Sequence, residues 1–553
     1  VTSPNPALVS QQAVQRLPRV PLLLLCAAYV LPGLFGRDPW KNADITAFGY
    51  MVAMAQGRTP WWHPLVAGLP VDTALLPHWL GAAFIALLQP WVDPALAARL
   101  PFAGLLAATL WLTWYACFHF ARTDAAQPLP FAFGGEAKAV DYARAIADGA
   151  LLALVATLGL LQLGHETTPE LAQLFSAALF LWGAAIAPYK RRKGRIGVLV
   201  SLPLLAASGA PAMALAVGAI ATAVDLHWPA GSETPRHFWR WTCAATVLSA
   251  ASAVVFRTWG LRWHFEPEFD SIKQILRLLL WFLWPSWVLG LWTVWRWRRQ
   301  LAQRHLALPL AMVLVAVMTC VAMGGSDRAL LLALPALAVL AAFALPTLKR
   351  STTAAIDWFS VCLFTGCAIF GWVMYLGMQV GLPRWAAATI ARLAPGFHPA
   401  FSLARCLFAL LGTLAWLWLV RWRSGRHRQA LWKSLVLPAS GVALCWLLVM
   451  TLWLPAIDYD RSYRPWVARF ATQLEPGDCI SAPGLPRAPL AALEYFGHYR
   501  IDGRIEQPLD DCPALLLPGT PPAPPGWALV AVEVRPAERV ETTTLFRRAP
   551  SGR

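Results

Sequence analysis

Apolar runs long enough to cross a bilayer recur along almost the whole chain as far as Pro455, with short basic clusters between them. Hydrocarbon offers backbone N–H and C=O groups no water, so runs of this kind can only be helices packed against one another. Composition agrees: 58% of the 553 residues are hydrophobic, 30 are Trp and only 14% are charged, against roughly a quarter in a soluble chain. The net charge of +17 sits in the clusters between spans. It follows the Lys/Arg excess of cytoplasmic loops and implies a lipid bilayer, not nucleic acid, as partner.

Charge parity orients the chain. Residues 20–36 form the first span, entered from the side of Arg16 and Arg19, with no small-residue cleavage site after it. Further spans are expected at 97–120, 145–163, 170–189, 196–207, 210–226, 241–258, 276–295, 306–323, 329–347, 355–379, 400–420 and 434–454. The apolar stretch 74–92 contains Pro77 and His78. If it crossed, the cluster Lys190 to Arg195 and every later basic loop would fall outside. If it lies in the interface or re-enters, all of them are cytoplasmic, and that arrangement is the expected one. The result is about thirteen spans, with the N-terminus cytoplasmic and a long outer loop at 37–96. The loops at 164–169, 259–275, 324–328 and 380–399 share that outer face.

After Pro455 the apolar pattern stops. Residues 456–553 carry helix-like YRPWVARFATQL and APLAALEYFG, and strand-like DCISA, ALLLPG, WALVAVEV and TTTLFRR. The expected organisation is a transmembrane domain at 1–455 and a small outer α/β domain at 456–553. Cys479 and Cys512 are the only cysteines in that domain, each at the start of a predicted strand. An oxidising compartment makes a disulfide the natural expectation, with two free thiols as the alternative.

Polar chemistry gathers on the outer face. RDPWKNADITAFGY (37–50) packs Arg37, Asp38, Lys41 and Asp44 around Trp40, where the chain leaves the first span. Asp44 fits a catalytic carboxylate; it also fits the N-cap of an apolar helix at 45–56 that ends at Gly57. Asp38 and Lys41 fit a surface ion pair, and Asp72 fits a solvated side chain. HETTPEL (165–171) brings His165, Glu166 and Glu170 to one short turn, although Pro169 and Glu170 also suit a plain helix start. One His beside two Glu lacks the spacing of a metal motif. Arg328, in Ser326-Asp327-Arg328, suits a lipid phosphate or simple snorkelling. Arg262 and His264, within GLRWHFEPEFDSIKQILR (260–277), suit the headgroup zone. An ion-coupled carrier needs carboxylates near the midplane, whereas Asp148, Asp225 and Asp357 lie near expected cytoplasmic ends.

GRDPWKNAD after the first span, HWLGAAF (78–84), the HETTPEL turn, SDRALLLALPALAVLAAF (326–343) and the outer C-terminal domain, in that order, carry a resemblance. The chain resembles GT-C glycosyltransferases of the protein mannosyltransferase and lipid A aminoarabinose transferase type, over essentially its whole length. The resemblance implies an enzyme of the bacterial inner membrane. It would take a sugar from an undecaprenyl-phosphate-type carrier and pass it to a lipid, such as lipid A, or a protein on the periplasmic face. By position, Asp44 resembles the first-loop catalytic carboxylate and Glu170 the second-loop one. Asp72 resembles an acidic residue of the first loop, and Arg328 an Arg that helps hold the carrier phosphate. Glu166, His165, Arg262 and His264 complete the candidate substrate-binding set. Ile45 follows Asp44 where an acidic pair is usual. Thr73 stands where a Lys is frequent, Leu-Leu-Pro-His replaces Pro-Leu-Tyr-Tyr, and Glu170 replaces an Asp. No cofactor is assigned with certainty, and room is left for a divalent metal. A second reading, from a different class, is a non-catalytic protein of the same fold that binds or flips the lipid carrier.

Overall fold

The computed structural model describes residues 6–40, 42–227, 237–259, 269–424, 430–505, 512–535 and 538–548. Among them, six helices are long and apolar enough to cross a membrane, or seven if one bent pair counts as a single span. The chain divides into two compact units. One comprises Val1–Pro32, Phe102–Ile369 and Phe408–Leu448; the other comprises Gly33–Pro101, Phe370–Leu407 and Val449–Arg553.

Among the described residues, the named elements of the first unit are all helices. Its centre is the helix Leu334–Ala344, every residue of which is buried. The sequence LPALAVLAAFA is apolar on all sides, and only a helix surrounded by others tolerates that. It packs against the helices Ala139–Ala156, Ser286–Arg296, Arg304–Ala322 and Pro169–Ile186. Small residues set the closest approach. A Cβ on Gly183, in Pro169–Ile186, would lie 2.9 Å from the backbone of Gly197 in the helix Arg191–Ala207, so the two backbones touch as small-residue seams allow.

Several expected spans are interrupted. The span at 276–295 is two helices meeting at 89°, with Pro285 at the break, where the missing N–H and the ring cannot continue a helix. The span at 145–163 breaks at Thr157, where Leu158 N–H bonds Trp284 C=O and the Thr157 hydroxyl meets Ser286. By contrast, Arg191–Ala207 runs unbroken through Pro203. The three carboxylates near span ends are all engaged: Asp148 accepts from Trp114 Nε1 at 2.8 Å, Asp225 pairs with Arg304 at 3.1 Å, and Asp357 pairs with Arg423.

The second unit contains the long outer loop and the C-terminal sheet. Within the loop the helix Ala43–Ala55 packs on the helix Leu75–Leu88, and the antiparallel pair β1 (Leu65–Val66) and β2 (Leu69–Pro70) lies between them in sequence. Leu75–Leu88 has 14 residues and is roughly 21 Å long at 1.5 Å per residue, short of a hydrocarbon core of about 30 Å.

Among the described residues the C-terminal sheet has five strands: β3 (Cys479–Ser481), β4 (Arg500–Asp502), β5 (Ala514–Pro518), β6 (Trp527–Arg535) and β7 (Glu538–Arg548). Their order is β4-β3-β5-β7-β6. β3 runs parallel to β4 and β5, while β7 runs antiparallel to both β5 and β6. The helix Arg487–Phe496 makes the crossover from β3 to β4. A parallel pair requires such a crossover, because a tight hairpin cannot reverse the chain twice. Cys479, the first residue of β3, and Cys512, just before the neighbouring β5, are joined by a disulfide across 33 residues.

Candidate functional site

In the second unit, the stretch after the first span is held by acidic groups. Asp44 is the second residue of the helix Ala43–Ala55, and Asn42, not Asp44, is its N-cap. The expected capping role is thereby corrected: Asp44 Oδ2 accepts the Trp40 backbone N–H at 3.0 Å and lies 3.4 Å from Arg37 Nη2. Both side chains are almost fully buried, at 2% and 1% exposure. Arg37 also stacks over Trp40, 4.4 Å from the ring centroid. The helix end is as expected, with Gly57 at φ +69°, a backbone state that costs glycine least.

Lys41, the partner expected for Asp38, lies outside the described residues. Arg464 grips Asp38 with two bonds of 2.8 and 2.7 Å, and Ser462 donates a third. The hydrogen bond to Asp38 is the main cause of a raised Arg464 pKa. Asp458 accepts from the Asp38 backbone N–H and from Trp40 Nε1. Arg99 completes the cluster within electrostatic reach of Arg37, Asp44, Asp458 and Asp38. It is 4% exposed, and its Nη1 reaches Leu34 C=O at 3.4 Å. Its Nη2 has no hydrogen-bond partner among the described residues.

Asp72 is likewise engaged, 2.9 Å from Arg487 Nη1. Arg487 also donates to the Tyr50 hydroxyl at 3.2 Å, which in turn donates to Pro70 C=O at 3.1 Å. Burial pushes the Tyr50 phenol up to about 12. Glu494, on the same helix as Arg487, accepts Ala67 N–H at 2.9 Å and Arg58 Nη1 at 3.1 Å. The helix Arg487–Phe496 thus fixes the outer loop at two acidic–basic contacts.

In the first unit, HETTPEL forms a separate cluster. Arg328 donates from Nη2 to Glu166 at 2.8 Å, and from Nη1 to Glu170 at 3.0 Å and to the Thr168 hydroxyl at 3.3 Å. Burial acts to lower its pKa, but Glu170 and Glu166 outweigh burial and leave it raised. Gln162 donates to the other Glu166 oxygen at 3.1 Å. His165 places Nδ1 2.7 Å from Leu161 C=O and Nε2 2.8 Å from Tyr29 C=O, with its ring against Trp446. Arg262 and His264 lie outside the described residues. No three His, Cys, Asp or Glu side chains among the described residues group as a metal site.

Sequence reasoning missed Arg99, Arg464, Asp458, Arg487 and Glu494. Arg99 carried one signal, a charge inside an apolar span. The others meet the first loop from more than 400 positions away, and no local pattern reports such contacts.

No family model matches this chain, and no curated protein matches it. Among solved structures, ArnT from Cupriavidus metallidurans bound to undecaprenyl phosphate aligns with a TM-score of 0.58 at 13% identity, covering 95% of this chain and 96% of that one. The apo state of ArnT gives the same values. The arabinosyltransferase EmbB from Mycobacterium smegmatis aligns at a TM-score of 0.40 and 14% identity, over 83% of this chain and 43% of that one. The fold of this multi-pass chain, small C-terminal sheet included, is therefore that of ArnT, the architecture implied by the sequence resemblance.

Proposed function

We propose that the protein is a glycosyltransferase that moves a sugar from a polyprenyl-phosphate carrier to a lipid or protein acceptor on the periplasmic face of the bacterial inner membrane. The observation that carries this reading is a fold shared over nearly all of both chains with a protein crystallised with undecaprenyl phosphate. In this reading the N-terminus is cytoplasmic, the membrane domain runs to about residue 455, and residues 456–553 lie outside.

Asp44 is assigned as the catalytic carboxylate. Transfer breaks the bond between the anomeric carbon and the phosphate oxygen, and the phosphate leaves with the electron pair. A new bond then forms from the acceptor to the anomeric carbon, and the acceptor gives its proton to the catalytic carboxylate. Positive charge builds on the sugar as the phosphate departs, so a fixed carboxylate is useful there and so are cations around the phosphate. Asp44 is preorganised by Arg37 and the Trp40 N–H. Arg328 would take the carrier phosphate by exchanging one carboxylate for it. Glu170, 21% exposed against 8% for Glu166, is the partner that lets go, and once released it can act as the second carboxylate. His165, Glu166, Asp72, Arg262 and His264 are assigned to substrate binding, and Arg99 joins them as a buried cation near Asp44.

The test is transfer of radiolabelled sugar from a panel of polyprenyl-phosphate donors to extracted lipid and protein, by purified protein in detergent. Turnover is expected, and Asp44→Asn should lower it by about a hundredfold or more. No transfer from any donor, alongside intact carrier binding, would overturn the proposal in favour of a carrier-binding or flipping protein.

A further inference from the structure

An apolar groove of about 490 Å³ lies within the first unit, between the helices Arg19–Val30, Leu403–Ser424 and Lys433–Leu448. Every lining side chain except Ser440 is apolar or aromatic. Leu25 and Ala28 form one wall, Ala415 and Trp418 the second, and Ala443 the third. Hydrogen bonds fix the direction of each wall. Trp432 Nε1 donates to Gln15 C=O and Trp446 Nε1 to Pro32 C=O, so the first and third helices run side by side in the same sense. Leu403–Ser424 runs the other way, and a Cβ on its Gly412 would collide with Leu447. The lined stretches, Leu17 to Ala28 and Gly412 to Trp422, are each roughly 15 Å long at 1.5 Å per residue. Gly412, Leu447 and Ala28 mark one end of the groove, and Leu17, Pro18 and Trp422 the other.

Four arginines adjoin lining residues at that second end. Two are neutralised: Arg16 pairs with Asp141 at 3.4 Å, and Arg423 with Asp357. Arg19 and Arg421 are exposed and make no side-chain hydrogen bond or ion pair among the described residues. An apolar slot between helices, with uncompensated guanidinium groups beside a tryptophan at its mouth, matches a lipid with a negative headgroup and a chain that lies in the slot.

We propose that this groove is a binding site for an anionic phospholipid, its phosphate held by Arg19 and Arg421 and one acyl chain lying against Leu25, Ala415 and Ala443. The occupant is a bilayer lipid, and the site is independent of the sugar-transfer reading. It falls on residues to which no catalytic or carrier-binding role is assigned above.

The test is native mass spectrometry of the full chain released from micelles containing equal phosphatidylglycerol and phosphatidylethanolamine. The wild type should retain phosphatidylglycerol over phosphatidylethanolamine by about tenfold, since each cation near the surface adds measurably to anionic lipid affinity. Arg19→Gln with Arg421→Gln should bring the ratio close to one. Ala415→Trp, at an exposed position on the outer wall, should displace both lipids while leaving the arginines in place. Circular dichroism and gel filtration check each variant, and Arg19→Gln alone serves if the double variant does not fold. Equal retention of the two lipids by the wild type would overturn the proposal, as would an unchanged preference in the arginine variants. Undecaprenyl phosphate displacing phosphatidylglycerol, and itself being displaced by Ala415→Trp, would also overturn it, because the slot would then hold the carrier tail.

Discussion

Replacing Asp44 by Asn is not a neutral probe in this protein, and the reason is measurable. An N-cap Asp tolerates Asn with little loss, but Asp44 is instead the counter-charge of Arg37, both side chains being at most 2% exposed. Removing one partner of a buried pair leaves the other charge uncompensated, at a cost of roughly 3–5 kcal/mol. The stacking of Arg37 on Trp40 survives, and so does an acceptor for the Trp40 N–H. The expected loss for Asp44→Asn is therefore about 2–4 kcal/mol. Arg37→Gln should cost a similar amount, because it removes the cation paired with the buried carboxylate. The double variant should be closer to wild type than the sum of the two, with a coupling energy of about 2 kcal/mol or more. Unfolding of purified protein in detergent, by SDS titration with tryptophan fluorescence, measures all four corners of the cycle. Transfer assays on the same proteins separate stability from chemistry, since the double variant should recover stability and still lack turnover. If the two single losses add to within about 0.5 kcal/mol, the buried pair is not what holds Asp44, and its preorganisation fails as an explanation.

Arg328→Leu strands two carboxylates and should lower the unfolding temperature by roughly 3–8 °C, whereas Arg328→Lys should fold but bind polyprenyl phosphate more weakly, because an ammonium cannot fork between Glu166 and a phosphate; equal carrier affinity by titration would remove Arg328 from the phosphate site. Tyr50 titrates near 12 when folded and near 10 when unfolded, so the unfolded state loses its proton first and stability should fall as pH rises from 10 to 12; Tyr50→Phe should flatten part of that slope in melts across the window, and an unchanged slope would contradict the burial of the phenol. Cys479→Ser with Cys512→Ser opens a 33-residue loop and should cost roughly 3–4 kcal/mol, seen as a lower unfolding midpoint that reductant no longer shifts. Single-cysteine labelling should find Phe133→Cys accessible only from the cytoplasm and Thr520→Cys only from outside; both on one face would refute the proposed topology.

The helical bundle and the position of the C-terminal sheet were legible in the chain, because hydropathy acts locally. Leu334–Ala344 declares itself buried by being apolar on every side, and the Val-rich run WALVAVEV, bounded by Gly526 and Pro536, declares a strand before any partner is known. Breaks were less legible. Pro203 sits inside a continuous helix while Pro285 marks an 89° bend, because neighbouring residues decide whether freed backbone groups find partners. β4, three residues long at the sheet edge, is too short to show a period. The site residues divide the same way. Arg37, Asp38, Asp44, Glu166, Glu170 and Arg328 stood out as charges at the ends of apolar spans, where desolvation makes any charge costly. Their partners were set only by tertiary structure. Asp44 is an ion pair rather than a cap because the chain turns at Asn42 and brings Arg37 back over Trp40. Asp38 belongs to Arg464, and Asp72 to Arg487, because electrostatic pairing depends on distance in space, and those contacts close across some 400 residues of intervening chain.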